Sequence, residues 1–148
     1  MNKELEKRIN ETENGKEIRL KGRMEIKGVK SNCFLLGKMC LNSLINICRS
    51  DIVIDGSDAE IDAEIEDSTG SDWSLFFIQP TARNVCMRNM TIRVHIQNPA
   101  ATKRQFFGIY NTAYGLKVEN CRIEIYAEKQ LGIAGIYNNG NLDTHMET

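Results

Sequence analysis

A chain of 148 residues, 41% hydrophobic and 26% charged, describes one globular domain, long enough to bury roughly two thirds of the surface its unfolded form exposes. Its 19 basic and 20 acidic side chains leave a net charge of -1, which excludes a nucleic-acid binder that works by neutralising phosphates. No run approaches the roughly 20 apolar residues of a membrane helix, so neither nucleic acid nor membrane is expected as a partner.

The charged start, Met1 to Arg8, carries no apolar segment of signal-peptide length. The expected place is cytoplasmic, or a virion or cell surface if the chain is cut from a longer protein. Five cysteines at irregular spacing (Cys33, Cys40, Cys48, Cys86, Cys121) form no CxxC pair and read as reduced thiols. Leu5 and Ile9, four apart among Lys, Glu and Arg, predict a short amphipathic helix. Asn14-Gly15 marks the turn that closes this N-terminal capping segment, residues 1–14. From 15 to 148 the apolar period is two, as in half-buried strands: Ile18 and Leu20, Met24 and Ile26, Ile52 and Ile54, then Ala59, Ile61, Ala63 and Ile65.

These strands repeat. Val85 to Ile96 aligns without a gap on Leu116 to Ala127, 31 residues later, and Ile52 to Ala63 fits the same frame 33 residues earlier. Each copy reads apolar, any, apolar, polar, then Gly or Asn, and resumes apolar at alternate positions. Gly56, Asn89 and Asn120 fall where two strands meet at a tight corner, and both residue types tolerate a left-handed backbone. A third strand precedes each copy: Leu44 to Ile47, Leu75 to Ile78 and Phe107 to Tyr110, with Ile133 to Tyr137 opening a further turn of the pattern. Ile18 to Gly22 is a first copy, its second strand shifted by one residue.

On these phrases, over about residues 15–142, the chain resembles the right-handed parallel β-helix of the pectate-lyase-like superfamily. The resemblance implies an all-β solenoid of about four to five coils over 15–148, a helix capping its first coil, and a corner ladder with Asn89 over Asn120. It implies no single activity, because that superfamily hosts lyases, hydrolases, adhesins and phage proteins. Motifs of its polygalacturonases are not met: Asn111-Thr112-Ala113 lacks the acid of Asn-Thr-Asp, no Asp-Asp pair is present, and neither His95 nor His145 is flanked by glycines. GxSxG, Gly-rich phosphate loops and HExxH are absent as well.

Stacking the outward residues at the strand spacing of about 4.8 Å puts Lys21, Asp55, Arg88 and Glu119 in one column. Glu60, Arg93 and Glu124 form a second, and Asp62, His95 and Tyr126 a third. Opposite charges across a ladder contribute about 0.2–1 kcal/mol per pair, so alternating signs are what a structural face needs. The same columns hold the candidate surface site: Asp62, Arg93, His95 and Tyr126 are an acid, a guanidinium, an imidazole and a phenol able to bind a sugar hydroxyl or move a proton. The preferred reading makes them solvated ladder partners, with His95 paired to Asp62. The run Asp51 to Asp67 holds eight carboxylates, but alternate spacing spreads them along a strand, and no metal or cofactor is expected. Cys86 is expected to point outward as a bystander thiol.

Trp73, in the polar stretch Ser68 to Ser74, is read as a loop residue. With Tyr110 and Tyr137, which recur 27 apart in Gly-Ile-Tyr-Asn, it is a candidate binding aromatic or a seal between strand and loop. The chain from Asn138 to Thr148 stops in mid-coil without a capping helix, which leaves a strand edge open to pairing. The expected function is therefore a non-catalytic binding module that self-associates or takes a protein partner through its C-terminal edge, with a glycan as a second class of ligand. The alternatives are a carbohydrate-active enzyme, lyase or glycoside hydrolase, and a phage-encoded inhibitor of a host protein.

Overall fold

The computed structural model describes residues 2–28, 34–36, 39–66, 72–97, 105–127 and 132–139. Cys33, Asp67, residues 68–71, His145 and the C-terminal segment 140–148, all of which entered the sequence reading, lie outside them.

Helix α1 (Asn2–Asn10) forms as the spacing predicts, with Glu4 in its first turn and Lys7 and Arg8 in its last, each sign opposing the helix dipole. Nine residues are too few for a stable isolated helix, so packing must hold it. Leu5 and Ile9 are buried in the main core. The Asn10 side chain fastens the C-terminal end to a neighbouring strand, donating to the Asn46 carbonyl at 2.8 Å and accepting from the Cys48 amide at 2.9 Å.

The rest is strand: β1 (Glu17–Arg19), β2 (Arg23–Gly28), β3 (Phe34–Leu36), β4 (Met39–Ile47), β5 (Val53–Glu66), β6 (Asp72–Ile78), β7 (Cys86–Gln97), β8 (Gln105–Asn111), β9 (Lys117–Ala127) and β10 (Gly132–Asn138). One sheet runs β1-β5-β7-β9, with β2 also on β5, and is parallel throughout. The second runs β10-β8-β6-β4-β3 and is mixed, because β3 pairs with β4 antiparallel. This corrects the expected right-handed parallel β-helix with three strands per coil: the described residues form two sheets, with two strands per repeat.

The corners explain the difference. Asn89 (φ 59°) and Asn120 (φ 48°) do adopt the left-handed conformation, yet pairing with the neighbouring strand resumes on both sides, so β7 and β9 each pass through the corner as one strand. In β5 the corner is not Gly56 but Ser57 (φ 48°) and Asp58 (φ 65°). Gly56 answers a different need, close approach: a Cβ there would sit on the Asn89 carbonyl oxygen and 2.5 Å from Met90 Cβ. A second set of left-handed residues, Gly15, Asp51, Asn84 and Gly115, opens the strands of the same sheet, and main-chain bonds link it, Asp51 N–H to Arg83 O at 2.8 Å and Asn84 N–H to Tyr114 O at 2.9 Å.

The main core lies between the sheets, where Ile54, Ile61, Met87, Ile92 and Val94 face Ile45, Phe76, Ile78 and Ile109. Leu41, Phe77, Phe107 and Tyr110 form a second cluster. Cys40 is disulfide-bonded, which corrects the reading of uniformly reduced thiols, whereas Cys48, Cys86 and Cys121 are free. No helix among the described residues is long and apolar enough to cross a membrane.

Candidate functional site

The outward face of the parallel sheet carries the charges, in a register that differs from the one expected. Three residues separate Asp55 from Ala59 where one separates Arg88 from Met90, so everything in β5 beyond the corner moves two places. Arg19, not Lys21, heads the column Arg19, Asp55, Arg88, Glu119. The others are Arg23, Glu60, Thr91, Arg122; then Glu25, Asp62, Arg93, Glu124; then Lys27, Glu64, His95, Tyr126. Signs alternate throughout only in the column from Arg19 to Glu119; Glu25 lies acid against acid beside Asp62, and the pairing of Asp62 with His95 is lost, because His95 lies beside Glu64 and Asp62 beside Arg93.

All four predicted surface residues therefore share one face, and the polar groups of Asp62, Arg93 and Tyr126 are engaged there. The Arg93 guanidinium meets Glu60 at 3.0 Å, Glu124 at 3.3 Å and Asp62 at 3.8 Å, and its pKa is raised further, chiefly by the hydrogen bond to Glu60. Asp62 is also bridged by Arg23 at 2.5 Å. The Tyr126 hydroxyl donates to Glu124 at 2.5 Å, the leading reason why the carboxylate pKa falls and the phenol pKa rises. The His95 and Tyr126 rings stack at 5.0 Å and 14°. Arg23, Glu25, Lys27, Asp62, Glu64 and His95 line a shallow groove of about 340 Å³. An arginine held by three carboxylates is a poor proton acceptor, so the face is built for mutual neutralisation more than for acid–base turnover.

At the corner, Asp55 is buried and saturated. It accepts from the Ser57 amide at 2.8 Å, Arg88 Nε at 3.1 Å and Asn89 Nδ2 at 3.2 Å, and the Ser57 bond leads the causes that lower its pKa. Asn120 Nδ2 donates to Asn89 Oδ1 at 2.8 Å, so the corner ladder runs Asp55, Asn89, Asn120. Three carboxylates of the acidic run are ion-paired with neighbours: Asp55 with Arg88, Glu60 with Arg93, and Asp62 with Arg23 and Arg93. No group of three or more side chains suited to a metal occurs among the described residues. Cys86 is half-buried, and burial pushes its thiol pKa up, away from the reactive thiolate.

The aromatics separate. Trp73 is buried within β6, paired with Asn42 and Phe106, which corrects its placement in a loop. Tyr110 is buried too, and it stacks on Tyr137 at 4.9 Å and 22°. Tyr137 is 42% exposed, on β10.

That exposure belongs to a larger feature. Among the described residues, β9 and β10 are the last strands of their sheets, and they contact each other. Ile133, Ile136 and Tyr137 are 47%, 46% and 42% exposed, whereas their partners one strand inward, Phe106, Ile109 and Tyr110, are buried. Leu116, Val118, Ile123 and Ile125 of the β9 region likewise pack on the core only in part, while Ile92 and Val94 beneath them are fully covered. The open edge expected from Asn138 to Thr148 falls almost wholly outside the described residues, and the charges Lys117, Glu119, Arg122 and Glu124 were not legible as a set, because their meaning depends on the order of strands in the sheet. No family model, curated protein or solved structure matches the chain.

Proposed function

We propose that the protein is a non-catalytic binding module that associates with a second copy of itself through the edge formed by β9 and β10. The observation that carries this reading is the step in burial between Phe106, Ile109, Tyr110 and their β10 counterparts Ile133, Ile136, Tyr137. No described strand pairs with the outer side of β9 or β10, and a strand laid there would add main-chain hydrogen bonds and cover apolar side chains whose counterparts one strand inward are buried. The occupant with a matching apolar and hydrogen-bonding edge is another copy of the same end. The engagement of Arg93, Asp62 and Tyr126 with their neighbours favours binding over acid–base catalysis on the charged face.

Hydrogen exchange tests this at the edge itself. Amides of β9 and β10 are expected to slow as protein concentration rises towards about 1 mM, while those of β5 and β7 keep their rates. Edge amides that exchange equally fast at every concentration would defeat the proposal.

A further inference from the structure

Charge order along β9 specifies how two copies meet. The outward charged side chains of β9, in chain order, are Lys117, Glu119, Arg122 and Glu124, divided by the left-handed corner at Asn120. Lys117 and Arg122 are 73% and 75% exposed at the side chain and Glu119 is 51% exposed. Reversed, the series is its own complement: plus, minus, plus, minus meets minus, plus, minus, plus. From this, and resting on the self-association proposed above, we infer that two copies join β9 to β9 antiparallel about a two-fold axis between Asn120 and Cys121, beside the left-handed corner. Lys117 then lies opposite Glu124 of the second copy, and Glu119 opposite its Arg122.

The apolar side of the strand fits the same register. Val118 falls opposite Ile123 of the second copy and Leu116 opposite its Ile125, joining four side chains that pack on the core only in part. Neighbouring registers are excluded by charge. A slip of two residues one way sets Glu119 against Glu124, and the other way sets Lys117 against Arg122; in each case the two-fold repeats the repulsion. The corner itself favours this centre, because a bend placed on the axis lets the two legs of one strand follow the two legs of the other. The same axis brings the exposed Ile133 and Ile136 of β10 towards their copies.

Charge swapping tests the register directly. Arg122→Glu and Glu119→Arg are prepared separately, checked for folding by circular dichroism, and followed by native mass spectrometry alone and mixed. Each alone places two like-charge pairs at the interface in place of two attractive ones, and the expected loss is on the order of tenfold or more in dimer affinity. The mixture restores every opposite-charge pair and is expected to form heterodimer with an affinity near that of the wild type. Because Glu119→Arg adds an arginine next to Arg88, Lys117→Glu serves as a further variant and is expected to weaken the dimer similarly. A wild-type dimer that none of these changes affects, or a mixture that stays monomeric, would refute the register and leave self-association standing. A wild type that is monomeric throughout would refute both.

Discussion

Gly56→Ala probes the feature that sequence reading assigned to the wrong cause. The backbone at Gly56 is not left-handed, so alanine brings no conformational penalty of that kind; the cost comes from the strand beside it. The new methyl carbon lies on the Asn89 carbonyl oxygen and 2.5 Å from Met90 Cβ, where ordinary contacts between non-bonded carbons are about 3.5–4.0 Å. β5 and β7 must therefore part by roughly 1 Å at the corner. That overpacks the site, at about 1–3 kcal/mol, and weakens one or two hydrogen bonds there, worth about 1 kcal/mol each. The total, about 2–5 kcal/mol, corresponds to a fall in Tm of roughly 5–20 °C for a domain of this size. Thermal unfolding followed by circular dichroism measures it. Gly15→Ala is the control, since a Cβ there meets nothing within 4 Å but the backbone is left-handed at φ 81°; about 1–2 kcal/mol is expected from conformation alone. A Gly56→Ala protein that melts with the wild type would refute the argument from close approach.

Three other outcomes follow from the same structure. Asp55, whose pKa is lowered first by the Ser57 amide, contributes stability that is present above the ordinary carboxylate value of about 3.9 and is lost as pH falls through its lower folded value. Asp55→Asn is therefore expected to be less stable than the wild type at neutral pH and to lose less on acidification, which Tm recorded from about pH 7 to pH 2 will display. Asn10→Ala removes both bonds between the end of α1 and the chain at Asn46 and Cys48 and should cost about 1–3 kcal/mol by urea unfolding. Trp73→Ala should cost about 3–5 kcal/mol, as for a core aromatic; a loss under about 1 kcal/mol would return Trp73 to the surface.

The strands were legible because Ile, Val and Leu alternate along them, and the segments expected at Leu44, Leu75, Phe107 and Ile133 lie within β4, β6, β8 and β10. Asn89 and Asn120 were legible as corners because few residues other than glycine hold a positive φ so readily. The number of sheets was not, since a left-handed residue bends a strand without revealing whether pairing resumes beyond it. Register was lost at one point for a related reason: Ser57 and Asp58 add two residues to the β5 corner, and a gapless alignment cannot absorb them. Asp62 was thereby set beside His95 instead of Arg93. Trp73 was misplaced because its serine-rich surroundings have the composition of a loop, while burial depends on Asn42 and Phe106, distant in sequence. Edge character is a property of the assembled sheets, so the set Lys117, Glu119, Arg122 and Glu124 emerges only once β9 is seen to be the last described strand of its sheet.

Sedimentation equilibrium of the wild-type protein tests the central claim most directly. A reversible monomer–dimer equilibrium of the 16.8 kDa chain is expected, abolished by Ile136→Lys, which places a charge on the exposed apolar edge of β10. A single 16.8 kDa species persisting to about 1 mM would contradict it.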